Sequence, residues 1–320
     1  MEDLLTHEMN QVLSHYSIGK LITVSKIAVG YANQNYIIQT HQGKYLYRIV
    51  GLQPHNVIQY ELQVLNKLKT VRFPTAYPIV KDDGEYICET SHGNVVIYEF
   101  VEGETPEIKE NTAQQIGETL ARLSRFPDWQ QFEKKNAMNI DLCEGLIDEF
   151  AQAKHSYPEI FAFFKRETRY LFPYLEQPVP MGFVHGDIFP DKVIFKDGKL
   201  KAIVDFEEVC TDHLLVDIGI AINGFCIRQN TLDEHLLKAF LTAYNQERRI
   251  SEEEFVLLPY YIEWGAFAMV YWHLRNDLLH QANRRQLARV EELVSRIKHL
   301  KGFDYSFILN FRKELAEQNA

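Results

Sequence analysis

Three acids sit where apolar packing does not explain them. Asp187 follows the apolar residues of GFVHGD, Asp205 closes the run LKAIVDF, and Asp217 interrupts LLVDIGIAI. Taken singly, each reads as a turn or cap residue, because Asp is common in turns. Taken together they form a set that phosphoryl transfer can use. One carboxylate orients or takes the proton of an attacking hydroxyl, and another holds a magnesium ion that bridges the phosphates. Magnesium takes oxygen ligands and binds through one or two protein carboxylates. Asp187 and Asp205 each end an apolar strand. Neighbouring strands joined by a hairpin would bring both carboxylates to one edge, at the rim of a cleft.

These acids need elements to position them. MEDLLTHEMNQVLSHY spaces Leu4, Leu5, Met9, Val12 and Leu13 as on one helix face. LITVSKIAV, NYIIQT and KYLYRIV then read as strands separated by the turns GYANQ and HQGK. HNVIQYELQVLNKLK returns to helical spacing, with Val57, Glu61, Val64, Leu65 and Leu68 on one face. YPIVKDDGEYICET and GNVVIYEFV are strands again, with DDGE as a hairpin turn. From GETPEIKEN onward the pattern is helical, except for a β patch over 183–206 in which KDGK turns a hairpin. The chain is therefore expected to be α+β, with a sheet-rich lobe over 1–102 carrying one inserted helix and a mainly helical lobe over 103–320. A cleft between two lobes is a preferred ligand site.

Composition sets the outer bounds. Of 320 residues, 46% are hydrophobic and 24% charged, as in an ordinary globular chain, and the net charge of -10 argues against nucleic acid as a partner. Cys88, Cys143, Cys210 and Cys226 are scattered and form no C-x-x-C pair, so a disulfide framework or zinc site is not expected. The uncharged run GAFAMVYWHL falls well short of the ~20 residues of a membrane span. The N-terminus is acidic at once and has no apolar signal core. A cytoplasmic protein with no membrane partner is the expectation.

The segment HGDIFPDKVIF…KLKAIVDFEEVCTDHLLVDIGIAI resembles the catalytic core of the aminoglycoside phosphotransferase and choline kinase superfamily. That pattern runs H-G-D-x-x-x-x-N, then a strand ending D-F or D-W, then an acid followed by small and apolar residues. Within the superfamily the chain is most similar to the bacterial homoserine kinase group, keeping FPD, Cys210, LLVDI and INGFC. The resemblance covers the chain in element order and is most specific over 183–226. It implies a protein-kinase-like bilobal fold, ATP and Mg2+ as cofactors, and a small-molecule hydroxyl acceptor. Asp187 would be the catalytic acid/base, Asp205 the metal ligand, and Asp217 and His185 the supports of the catalytic loop.

One position departs from the pattern. Lys192 stands where the family has the second metal-binding Asn. An ammonium has three donors and no acceptor, so it cannot ligate magnesium. Three readings follow: Lys192 is a fixed cation in place of one metal, pairing with Asp187, Asp205 or a phosphate; or metal binding is weakened and the chain is a pseudokinase; or Lys192 points outward and the site runs on one magnesium.

The resemblance assigns the nucleotide to the first lobe. VGYANQNYIIQT would cover the phosphates, with Gly30, Asn33 and Asn35. Arg48, an unexpected charge inside KYLYRIV, would replace the phosphate-binding lysine. Glu61 falls on the buried helix face and needs a cation, so an Arg48–Glu61 pair is expected; the capacity of Arg for bidentate carboxylate binding makes Arg plausible in place of Lys. Glu99 and Val101, in IYEFVEG, would form the adenine hinge. For the acceptor, Glu207, Asp212 and Arg275 are candidates, with Glu208, and with Glu263, His273 and Asn276 on the helix of Arg275. Homoserine or a similar amino alcohol leads. Choline, ethanolamine, an aminoglycoside and methylthioribose are the alternatives.

Overall fold

The computed structural model describes residues 2–27, 33–51, 53–153, 157–279 and 284–318. The chain divides into two compact units. The first is Met1–Glu104 with Ile194–Lys196 and Lys201–Glu207; the second is Thr105–Val193, Asp197–Leu200 and Glu208–Ala320.

In the first unit, α1 (Glu2–Leu13) precedes the strands β1 (Leu21–Ile27), β2 (Asn33–Thr40) and β3 (Lys44–Val50). Helix α2 (His55–Thr70) follows, then β4 (Cys88–Thr90) and β5 (Gly93–Glu99). The sheet is antiparallel throughout, in the order β1-β2-β3-β5-β4. Strand alternation divides its two faces. Tyr36, Ile38, Tyr47, Ile49, Val95 and Ile97 form one core with Met9, Val12 and Leu13 of α1. Arg48 and Tyr98, one register position away, turn to the opposite face and meet Glu61 of α2. That helix buries Ile58, Glu61, Leu62, Val64, Leu65 and Leu68, while Val57 is only half-buried.

The segment YPIVKDDGEYICET is less regular than its pattern predicts. Its turn closes, with the Lys81 N–H donating to Glu85 O at 2.7 Å. Pro78 makes only an isolated bridge to Tyr98, and regular strand is confined to Cys88–Thr90. Proline has no N–H to give a ladder, and the Asp82 N–H is spent on His15 O at 2.9 Å.

After Glu104 the chain runs through α3 (Glu110–Ser124), α4 (Ile140–Gln152), α5 (Pro158–Leu175), β6 (Met181–Val184), β7 (Val193–Lys196), β8 (Lys199–Ile203), β9 (Cys210–His213) and α6 (Leu215–Phe225). It continues through β10 (Ile227–Arg228), β11 (Thr231–Leu232), α7 (Glu234–Glu247), α8 (Glu252–His273), a π-helical continuation Leu274–Leu279, α9 (Arg284–Gly302) and α10 (Ser306–Gln318). Strands β7 and β8 form the expected hairpin. Most of it groups with the first unit, as do Asp205 and Glu207, which lie beyond the expected boundary at residue 103. Backbone bonds account for this: Glu104 and Phe195 exchange N–H···O bonds of 2.8 and 2.9 Å, and the Ile203 N–H reaches Pro74 O at 2.9 Å.

The strand that carries Asp187 is not the neighbour of the strand that ends at Asp205. β6 instead pairs antiparallel with β9, Phe183 opposite Thr211 and Val184 opposite Cys210. Two turns redirect the chain. Gly186 at φ +80° and a 3-10 turn at Pro190–Lys192 follow β6, and Asp205 at φ +71° with a 3-10 turn at Phe206–Glu208 follows β8. The shared edge expected for the two acids therefore does not come from strand pairing.

Helix α6 is buried on every side, and its two buried polar side chains, Asp217 and Asn223, are both hydrogen-bonded to backbone. It packs on α8 at backbone contact. A Cβ on Gly219 would stand 2.0 Å from Tyr261 O, and one on Gly265 would stand 2.7 Å from Gly219 O. Asn223 bridges the same seam, its Nδ2 donating to Gly219 O at 2.9 Å and Ile262 O at 2.6 Å. Gly219→Ala is expected to destabilise the protein by about 3 kcal/mol, the upper range for overpacking, read as a lower urea midpoint at unchanged m-value.

Candidate active site

The turn after β6 is shaped by one carboxylate. Asp217, in the first turn of α6, accepts the His185 N–H at 2.6 Å and the Gly186 N–H at 2.9 Å. Gly186 is left-handed, and a Cβ there would stand 3.0 Å from Glu208 O. His185 is fully buried, and its Nδ1 accepts the Asp187 N–H at 3.3 Å. That bond requires the unprotonated nitrogen at Nδ1. Asp217 is 5% exposed. Burial pushes its carboxyl up to about 7, while the two backbone donors pull it down. Asp217 and His185 thus hold the backbone on both sides of Gly186 and aim Asp187.

Asp187 itself is partly exposed, and Lys192 reaches it. The Lys192 Nζ lies 3.4 Å from Asp187 Oδ2 and 3.5 Å from Asp191 Oδ2. The Lys192 N–H donates to Phe189 O at 2.9 Å in the turn that returns the side chain. Lys192 is therefore turned toward the acid, not away from it.

A second charged group lies in the first unit. Arg48 on β3 is 8% exposed and faces three carboxylates. Its Nη1 donates to Glu207 Oε1 at 3.0 Å, its Nη2 is 3.4 Å from Asp205 Oδ1, and Glu61 Oε1 is 3.8 Å from Nη1. Its Nε donates to Asn35 Oδ1 at 3.1 Å, and the guanidinium carbon sits 5.3 Å from the Tyr98 ring centre. Desolvation opposes the Arg48 charge, but the surrounding acids hold its pKa above the ordinary value. Glu61 is pushed up to about 7, first by burial and against the pull of Arg48.

The expected Arg48–Glu61 ion pair is present, but at 3.8 Å through one guanidinium nitrogen, so it is not bidentate. Arg48's hydrogen-bonded carboxylate is Glu207, and Glu61 is the most distant of the three. Glu207 had been an acceptor-binding candidate; its oxygens meet Asn33 Nδ2, Arg48 Nη1 and Gln53 Nε2. Gln53 carries no sequence signal of its own. Glu207 carried one, an acid two residues beyond the strand-ending Asp205.

The other candidates are placed as follows. Gly30 lies outside the described residues. Asn35 lies in β2 as expected, and Asn33, expected in the turn before it, begins the same strand. Glu99 ends β5, opposite Tyr45, with its N–H on Tyr77 O at 2.8 Å, and Val101 follows in irregular chain. Asp212 on β9 accepts from Asn136 Nδ2 at 2.7 Å and from the His213 N–H at 2.7 Å. Arg275 is exposed in the π-helical segment, with Tyr271 Oη 3.5 Å away. His273 pairs with Asp277 at 2.8 Å, both buried. Glu263 belongs to helix packing. Lys301 Nζ is 3.3 Å from its Oε1 and also contacts Glu167 of α5.

Among the described residues no three His, Cys, Asp or Glu side chains gather as a protein-only metal cage. A metal that also binds phosphates needs only one or two carboxylates. Asp205, partly exposed and acceptor-only when ionised, fits that demand; Lys192 cannot serve as a ligand. No helix among the described residues is long and apolar enough to cross a membrane.

Solved structures place the fold first. A microcompartment-associated aminopropanol kinase superposes with a TM-score of 0.72, at 15% identity, over 92% of this chain and 97% of the other. An amicoumacin kinase in complex with AMP-PNP and Ca2+ superposes with a TM-score of 0.70, at 15% identity, over 95% and 98%. The chain has their protein-kinase-like α+β fold. Sequence then gives the family. Residues 23–253 match the phosphotransferase enzyme family, and the chain belongs to it. The homoserine kinase of Bradyrhizobium diazoefficiens is 30% identical over 263 residues, 80% of each chain. This protein is a small-molecule kinase, which moves a phosphoryl group from ATP to a hydroxyl.

Two outcomes follow for the buried acids. Asp217→Asn offers one acceptor where two N–H groups need one each, so it is expected to cost about 1–3 kcal/mol in chemical denaturation. Burial pushes Glu263 up to about 8, from an ordinary 4.5. The stability linked to its protonated form is complete below the ordinary value and lost as pH rises through the folded one. Glu263→Gln does not titrate there. Its stability relative to wild type should rise between about pH 5 and 8, with a slope of up to about 1.4 kcal/mol per pH unit, measured by urea unfolding across that range.

Proposed function

We propose that the protein phosphorylates the hydroxyl of homoserine, using ATP with magnesium. What supports this acceptor is the likeness to the homoserine kinase of B. diazoefficiens across 80% of both chains. The geometry of the Asp187 turn supports the reaction. Asp187 accepts the proton of the acceptor hydroxyl at a carboxylate oxygen as that hydroxyl attacks the γ-phosphorus, and ADP leaves. Asp217 and His185 position this carboxylate through the backbone. Lys192 is a fixed cation beside it: its ammonium offsets negative charge at the place where a hydroxyl and a phosphoryl group must meet.

Asp205 would hold the magnesium, which supplies charge neutralisation of the phosphates when bound. Arg48, set by Glu61 and Glu207, is the phosphate-side cation, with Gly30, Asn33 and Asn35 on the covering hairpin and Glu99 and Val101 along the adenine. On this reading residues 1–102 serve the nucleotide and 103–320 serve catalysis and the acceptor, with Asp212 and Arg275 as acceptor candidates. The location is cytoplasmic, in keeping with four cysteines that are all free.

The test is ATP consumption at several magnesium concentrations with homoserine, choline, ethanolamine, an aminoglycoside and methylthioribose. Turnover is expected with homoserine, and Asp187→Asn should lower kcat by roughly a hundred- to ten-thousand-fold. Turnover with a different member of the panel replaces the acceptor assignment. Lys192→Asn should lower kcat; a rise in kcat with tighter magnesium dependence would make Lys192 a lost metal ligand instead of a working cation.

A further inference from the structure

Three donors of the first unit converge on one carboxylate. Glu207 Oε1 accepts from Asn33 Nδ2 of β2 and from Arg48 Nη1 of β3, the latter at 3.0 Å. Glu207 Oε2 accepts from Gln53 Nε2, just before α2, at 3.0 Å. A buried guanidinium flanked by two side-chain amides is the donor set that a phosphate oxygen would seek. Here a residue of the chain itself fills it.

The charge balance sharpens the point. Among the described residues one guanidinium, Arg48, has Glu61, Asp205 and Glu207 all within 3.8 Å of it. A polyphosphate without metal would bring more negative charge to a group already rich in carboxylate, and in a poorly solvated site like charges repel strongly. A metal complex of the same nucleotide brings compensating charge.

We propose that Glu207 is a specificity-determining residue, an internal anion that closes the Asn33–Arg48–Gln53 donor set to bare polyphosphate, so that the nucleotide enters only as its metal complex. The inference rests on the reading of Arg48 as the phosphate-side cation. Glu207 acts by occupancy and charge. Removing its charge leaves Arg48 with Asp205 and Glu61 as partners, so the cation is not stranded.

The experiment is calorimetric titration of the full chain with inorganic tripolyphosphate, and with ATP in EDTA, at low salt. Glu207→Gln is expected to bind both at least about tenfold more tightly than wild type, as removal of a neighbouring like charge requires. The gain should shrink at high salt. Glu207→Ala, which also removes the charge, should move the same way and serves if the Gln variant melts too low. The gain should vanish in Arg48→Met/Glu207→Gln, because the anion lands on Arg48. Equal or weaker binding by the Glu207 variants overturns the proposal, as does a gain that survives the loss of Arg48. Turnover of homoserine by wild type together with unchanged anion affinity in the variants would sink this inference alone. Tighter anion binding in a protein silent toward homoserine would sink the acceptor assignment alone.

Discussion

The carboxylate of Asp217 is the constraint on which the turn leading to Asp187 depends. Its two oxygens take the N–H groups of His185 and Gly186, two consecutive donors that no strand partner satisfies in this turn. An unpaired buried N–H costs about 1–3 kcal/mol, so the turn and the acid stand or fall together. Gly186 is required because the chain is left-handed there and Glu208 O stands close by. With the turn held, His185 Nδ1 takes the next N–H, that of Asp187. The price in desolvation is visible at Asp217, whose carboxyl is driven up to about 7.

The first unit solves a different problem. It buries a guanidinium on a sheet face and surrounds it with more acid than it needs. A buried ion pair gives little net stability, yet loss of one partner is costly. Such a group therefore serves geometry better than stability. Arg48 ties β2, through Asn35, to the chain after β8, through Asp205 and Glu207. Glu61 of α2 sits at the edge of this group, closer in role to a charge reserve than to a hydrogen-bonded clamp.

Lys192 links these themes. It stands where the family pattern has a neutral Asn, and it brings a charge to the same turn. The ammonium lies 3.4 Å from Asp187 Oδ2 and 3.5 Å from Asp191 Oδ2, shared between two acids. A tethered cation is always present, while a metal ion must be recruited.

Much of this was legible in the residues themselves. The strand-ending Asp187 and Asp205, the acid inside LLVDIGIAI, and the helix face with Glu61 all depend on short-range spacing, which a single sequence carries. The family pattern around HGDIFPDK was readable for the same reason, and so was the order of a sheet-rich part before a helical part. Tertiary structure decided the rest. β6 chose β9 over its sequence neighbours because two left-handed positions, Gly186 and Asp205, turn the chain out of register. Arg48 pairs with Glu61 at 3.8 Å but hydrogen-bonds Glu207, because side-chain reach, not helix periodicity, sets which carboxylate comes within 3.0 Å. Gln53, in a segment without pattern, joined the group only through a fold that brings it to a residue 154 positions away. Spacing along the chain determines which face a side chain occupies; which partner waits on that face is fixed only when distant segments pack.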